Sequence, residues 1–145
     1  MATLGRLVQE DLCIMEKRGD EHVLTAAALC FPAYWTLAEK FMRPLLRIHQ
    51  PVPSYDDDVG KRVQRLFDGI RAGAPLWRFN AHWYRDPDLM QVRPESHPRK
   101  TVPAEEGRYL RSERQVLLRL PRSNAVVFSI HTYMLGREDA VRVLA

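Results

Sequence analysis

The N-terminal part of the chain alternates short apolar-rich runs with turn residues. Gln9 to Lys17 and His22 to Phe31 are two such runs, and Arg18 to Glu21 between them has the composition of a hairpin turn. Trp35 to Phe41 then reads as a short helix. Pro44 must end or kink this helix, because proline has no amide proton and collides with the preceding turn. The chain is therefore predicted to open with two strands and then turn helical.

The clearest helical pattern follows three consecutive aspartates. Asp56 to Asp58 suit the start of a helix, because negative charge is favourable at the positive end of the helix macrodipole. Apolar residues then recur at helical spacing, at Val59, Val63, Leu66, Phe67 and Ile70. Gly73 is predicted to end the helix, since glycine adopts the left-handed conformation of a helix cap at little cost.

A histidine stands ahead of this helix with prolines behind it. Leu45 to Ile48 is predicted to add one helical turn, and His49 falls at its end. Pro51 and Pro53 predict a stiff, extended connector, because the residue before a proline avoids the helical conformation. A side chain held by such a segment suits a metal ligand. A core or capping histidine that bonds to the backbone would give the same pattern.

The C-terminal half reads as three strands and one long loop. Leu76 to Tyr84 is rich in aromatic residues and is predicted to be a strand, whereas Arg85 to Gly107 is a polar loop with four prolines. Tyr109 to Leu120 and Asn124 to Met134 are predicted to form a hairpin with a proline in its turn. The tail beyond Gly136 is expected to fray.

Length, order of elements and charge together indicate one folded domain over residues 1–145. The order strand, strand, helices and three strands predicts an α+β fold, with one antiparallel sheet and helices packed on one face. No apolar run is long enough to span a bilayer and no secretory segment is present, so we expect a cytoplasmic protein without a membrane partner. The net charge of +4 comes from arginines without nucleic-acid-binding motifs, and an acidic partner protein would explain it.

The last hairpin can be counted in register from its turn. If Leu120 pairs with Ala125, steps of two predict the pairs Leu118 with Val127, Val116 with Ser129, Arg114 with His131, and Ser112 with Tyr133. Glu113 then lies on the opposite face, near Thr132. Each face has an apolar end near the turn and a polar end away from it, and a slip of one residue would exchange these neighbours.

Arg114 and Glu113 are the two charged residues of this hairpin with candidate chemistry. Arg114 falls in phase with an apolar row, so its guanidinium needs an anionic partner, either a cofactor group or an internal carboxylate such as Glu39. A structural ion pair at the end of the sheet is an equal alternative. A buried Glu113 would attract a cationic amine, whereas a strand glutamate that faces solvent has no such role.

Three segments resemble one known family. Ile48 to Tyr55, Arg111 to Gln115 and Arg119 to Ser123 are similar to the alpha subunits of haem-dependent oxidative N-demethylases, and shorter matches such as Trp77 to Asn80 accompany them along most of the chain. The resemblance implies a PAS-like fold that holds b-type haem. It further implies that a small secondary amine such as dimethylamine loses a methyl group as formaldehyde. Longer family members carry an extra N-terminal region, which this chain is expected to lack.

The resemblance also implies site residues and partners. His49 would ligate the haem iron, Arg114 would anchor a propionate, and Tyr55 and Trp77 would line the cofactor, although aromatic residues in a small core often only pack. The residues expected to face the amine are Glu113, Tyr133 and His131, with His131 equally able to be a polar filler of the sheet. NADPH, flavin and an iron–sulfur cluster would belong to a separate reductase subunit. The alternative is a non-catalytic PAS-like module that binds haem or another ligand, or that dimerises.

Overall fold

The computed structural model describes residues 1–52, 54–97 and 101–144. In order, the elements are α1 (Ala2–Leu7), β1 (Asp11–Arg18), β2 (Glu21–Ala28), α2 (Leu37–Lys40), α3 (Leu45–His49), α4 (Asp57–Gly69), β3 (Leu76–Tyr84), β4 (Tyr109–Arg119), β5 (Val126–Gly136) and α5 (Arg137–Leu144). The five strands form one antiparallel sheet in the order β2-β1-β5-β4-β3. The predicted α+β fold is confirmed, and the PAS-like description stays a prediction.

The two faces of this sheet differ in what covers them. The face that we call the core face packs against α3 and α4, and its central cluster is made of Cys13, Met15, Leu24, Leu45, Phe67, Ile70 and Val126. Because side chains alternate along a strand, the opposite or outer face carries the residues between these positions. It is flanked by α1, whose Leu4 and Val8 lie near Leu12 and Ile14 of β1.

Strand register follows the prediction made from the last hairpin. Leu120 N donates to Ala125 O at 2.8 Å, and Arg114 is opposite His131 in the β4–β5 pair. Glu113 is opposite Thr132, so it lies on the core face while Arg114 lies on the outer face. The predicted register is thus confirmed.

Helix bounds differ from the sequence predictions at both ends of the chain. Residues 2–7 form α1, where no helix was predicted, and the tail expected to fray forms α5, whose Ala140 is fully buried. The aspartate-led helix ends at Gly69 rather than Gly73, because Ile70 turns into extended backbone and Gly73 lies in the following turn. Asp56 caps this helix through a side-chain bond to Val59 N, as its position indicated.

Two predictions fall partly outside the described residues. The extended connector includes Pro53, and the long loop 85–107 includes 98–100, none of which is described. The rest of that loop carries no helix or strand, in agreement with the prediction. Among the described residues, no helix combines the length and the apolar character needed to cross a membrane.

Candidate functional site

His49 is held in one defined orientation at the end of α3. Its Nδ1 lies 2.9 Å from Leu45 O. A carbonyl oxygen only accepts, so Nδ1 carries the proton and Nε2 keeps its lone pair. No residue of the described chain bonds to Nε2. The ring of Tyr55 stacks on the imidazole at 4.3 Å and 12°. This bond agrees with both predictions for His49, since a backbone carbonyl orients many metal-ligating histidines and also holds a capping histidine in place.

Electrostatics keep the His49 imidazole neutral. Burial lowers its pKa below 6.5, and the positive charges of Lys40 and Arg78 act in the same direction, whereas the bond to Leu45 O opposes them. Burial likewise raises the pKa of Tyr55 above 10, so its phenol stays protonated. The Tyr55 hydroxyl is buried and has no hydrogen-bond partner in the described part of the chain. A neutral imidazole is the form that binds a metal ion.

The core face of β3 and β4 carries a row of polar side chains. This row lies on the same side of the sheet as α3, the helix that ends at His49. Glu113 is only 9% exposed and accepts from Arg111 Nε at 3.2 Å, Gln115 Nε2 at 3.1 Å and Asn80 Nδ2 at 3.3 Å. Arg78 Nε in turn donates to Gln115 Oε1 at 2.9 Å. Arg78 is exposed, and its charge is felt by His49. The row thus runs from a solvent-facing cation to a buried carboxylate.

Four of the predicted site residues lie on the outer face instead. Arg114 Nη2 lies 3.4 Å from Glu10 Oε1, and His131 Nδ1 lies 3.3 Å from the same oxygen. Ser129 also donates its hydroxyl proton to Glu10. The Tyr133 ring packs on His131 at 4.5 Å, and Trp77 is 68% exposed. Arg114 therefore has the carboxylate partner that its position required, and that partner is Glu10 rather than Glu39.

The predicted site thus splits into two groups. His49, Tyr55 and Glu113 belong to the core-face side, whereas the four residues Trp77, Arg114, His131 and Tyr133 belong to the outer face. The sheet itself stands between the two groups. The predicted roles of Arg114 at a haem propionate and of Tyr133 and His131 beside the amine stay predictions, and the face that these residues occupy, across the sheet from Glu113, weighs against them.

Sequence reasoning missed the core-face residues Arg78, Asn80 and Gln115. Their signal was present in the alternation of β3, where Arg78 and Asn80 fall between Trp77, Phe79 and Ala81. Pairing β3 with β4 would have placed Arg78 beside Gln115. The long loop between the two strands gave no turn from which that register could be counted.

Two shallow cavities lie away from His49. One, of about 450 Å³, is between α1 and the outer face, with Glu10 and Ser129 among its lining residues. The other, of about 520 Å³, lies beside β2 and is lined by Thr25, Leu37 and Phe41 among others. His49 lines neither, so the candidate site is the surface around His49, with Tyr55 stacked on it and Arg78 near enough to act on its charge, rather than one of these cavities.

These features define an α+β domain that holds an oriented imidazole with a lowered pKa at the end of α3. A family model described as haem-dependent oxidative N-demethylase, alpha subunit-like, matches residues 1–142. The chain belongs to this family, as the resemblance of its sequence predicted. The family name implies dependence on haem and assembly with other subunits.

Proposed function

We propose that this chain is the haem-binding subunit of an oxidative N-demethylase acting on a small secondary amine. The observation that carries the proposal is the orientation of His49. Leu45 O fixes the protonated Nδ1 and leaves Nε2 as a neutral donor, which is the state that an axial haem ligand needs. Membership of the family supplies the expectation of haem, and His49 supplies a residue able to hold it.

The residues around His49 fit a b-type haem in three respects. The imidazole is neutral because burial lowers its pKa. The exposed Arg78 places a positive charge near His49, where a propionate would find a guanidinium partner. The buried Tyr55 hydroxyl would gain a partner from a polar group of the cofactor or its bound water. Neither of the two cysteines stands in a CxxCH sequence, so covalent attachment is not expected.

Glu113 is the residue proposed to bind the amine. An ionised carboxylate has about four acceptor positions, and the three donors Arg111, Asn80 and Gln115 occupy three of them. One position remains for an N–H of a dimethylammonium ion. Since Arg111 already balances the charge of Glu113, the carboxylate would orient the amine more than attract it from a distance.

Haem, when bound, supplies oxygen activation, and the methyl group leaves as formaldehyde. The protein positions the amine beside the cofactor and holds the imidazole in its donor form. Two electrons per turnover must come from outside the chain. We propose that they come from NADPH through flavin and an iron–sulfur cluster on a reductase subunit.

Haem addition to three proteins tests the ligand assignment. The intact chain should develop a Soret band, His49→Ala should lose it, and His131→Ala should keep it, because His131 lies on the outer face and bonds to Glu10. Added imidazole should restore the band in the folded His49→Ala variant. A band that survives in His49→Ala without imidazole, or that is lost only in His131→Ala, would contradict the proposal.

Turnover distinguishes an enzyme from a haem-binding module without activity. With a reductase and NADPH, the haem-loaded chain should produce formaldehyde when dimethylamine is present. Glu113→Gln should raise KM for the amine while leaving the Soret band in place, since glutamine keeps the shape but loses the charge. Haem binding without amine-dependent formaldehyde release would support the non-catalytic alternative instead.

A further inference from the structure

The outer face carries an aromatic surface that the proposed haem site does not use. Trp77 and Phe79 are each 68% exposed and stack on each other with centroids 6.4 Å apart. Leu118 and Tyr133, on the neighbouring strands, are 37% and 46% exposed. We call these four residues the aromatic strip. Two rings of this size leave about 300 Å² of apolar surface in water, an amount typical of an interaction site.

Trp77 and Phe79 of the strip also lie on β3, which is an edge strand of the sheet. β3 pairs with β4 on one side and, among the described residues, with no strand on the other. An exposed edge strand is usually protected by charge, proline or a bulge, because its free amides and carbonyls invite another chain. On β3 the core face exposes Arg78 and His82, whereas the outer face exposes Trp77 and Phe79, which favours an outer face that is covered in use.

The charge around the strip indicates what covers it. Residues 71–84 and 108–122 contain seven arginines, and five of them are exposed, namely Arg71, Arg78, Arg108, Arg114 and Arg122. The one acidic residue of these segments, Glu113, is buried and balanced by Arg111, so the edge of the sheet at β3 exposes positive charge, which Glu10 offsets at Arg114. A partner with an acidic rim around an apolar centre would complement this region, and opposite potentials speed association.

A second copy of the chain fits the strip poorly. If β3 paired with itself in antiparallel register about Asn80, Arg78 of each copy would stand opposite His82 of the other, and the same arginine-rich borders would face each other. Single-stranded nucleic acid fits less well than a protein, because the open edge of β3 can be continued by a strand of another polypeptide and the family name implies further subunits.

We propose that the aromatic strip is the docking surface for a separate protein subunit with an acidic surface, and that this subunit is the electron donor. The second part rests on the proposed function. Trp77 and Phe79 flank Arg78, which faces the haem site from the core face. A donor docked on the outer face of β3 would therefore be separated from that site by a single sheet.

The test uses a purified NADPH-dependent reductase that carries flavin and an iron–sulfur cluster, with and without haem in the chain. We expect binding that weakens about ten-fold between 50 and 300 mM salt. The double substitution Trp77→Ala with Phe79→Ala should weaken reductase binding at least ten-fold. It should slow the reduction of haem by NADPH through the reductase by the same factor. Reduction by dithionite, which needs no docking, should not change. The control pair is Leu66→Ala with Met90→Ala, which removes exposed apolar side chains elsewhere.

Several outcomes would overturn the docking proposal. One is an intact chain that does not bind the reductase, and another is binding that the strip variant leaves unchanged. A dimer in sedimentation that only the strip variant dissociates would identify a second copy as the occupant. Binding of a fluorescent single-stranded oligonucleotide that the same variant loses would identify nucleic acid. Failure of the proposed function can be distinguished from failure of the docking proposal. A chain that takes up no haem when haem is added, yet binds the reductase through the strip, would refute the proposed function and support the docking surface.

Discussion

The two faces of β4 show opposite ways of placing an arginine in a sheet. Arg111 is on the core face, 1% exposed, and its guanidinium makes four hydrogen bonds with its five N–H donors. Arg114, three residues later, is on the outer face, with a side chain 48% exposed and one ion pair, to Glu10. Burial forces complete partnering, since an unpaired buried charge is far more costly than an exposed one. Arg111 therefore maintains the structure of the core face, while the guanidinium of Arg114 stays half in water.

Arg111 joins loops that are distant in sequence. Its Nη2 donates to Phe31 O at 2.5 Å, its Nη1 donates to Leu89 O at 2.8 Å, and its Nε donates to Glu113. Asp11 holds the same region from the other side, because its carboxylate accepts from Cys30 N and Phe31 N. The polar end of the core face is thus a junction that fixes the loops after β2 and β3, and it positions Glu113.

Replacing each arginine by methionine should produce the largest difference between the faces. Arg111→Met leaves Glu113 buried without its cation and two carbonyls without donors, so we expect a loss of about 3–5 kcal/mol in the free energy of unfolding. Arg114→Met should cost at most about 1 kcal/mol, because its ion pair is half exposed. Urea denaturation of the haem-free proteins measures both. Equal losses would mean that the two faces do not differ in the way described.

Sequence alone predicted the sheet well because its signals are local. The turn residues after β1 and β4 set two hairpins, and counting from Leu120 and Ala125 gave the register that places Glu113 and Arg114 on opposite faces. The fold class followed from the order of the elements. The orientation of His49 did not follow, because a bond from Nδ1 to Leu45 O depends on a rotamer that no spacing encodes.

Joining residues from distant segments was the step that failed. Arg111 was passed over because its partners, Phe31 O and Leu89 O, lie 80 and 22 residues away and leave no pattern. Arg114 was assigned to a haem propionate and His131 to the side of the amine because the resemblance drew attention to their segment, although the same register put both on the face away from His49. Glu10, their actual partner, comes from the segment before β1.

A pH titration of stability tests the core-face side of this comparison through His49. The folded state lowers the pKa of His49 below 6.5, so below that pH the unfolded chain binds a proton that the folded chain does not. This contribution makes the haem-free protein less stable as the pH falls from about 6.5 through the folded pKa of His49. His49→Gln should lack that dependence, because glutamine does not titrate. Imidazole proton signals followed by NMR should give His49 a midpoint below 6.5, and a midpoint above it would contradict the neutral ligand.

The smallest effect should come from the aromatic strip itself. Trp77→Thr with Phe79→Thr removes two large rings, but both are mostly in water already, and threonine suits a strand. We expect the free energy of unfolding to change by less than about 0.5 kcal/mol. Met15→Ala, which empties a core position only 3% exposed, should cost about 2–5 kcal/mol in the same urea titration. A large loss in the threonine pair would show that the rings stabilise the fold, and their exposure would then no longer favour a docking role.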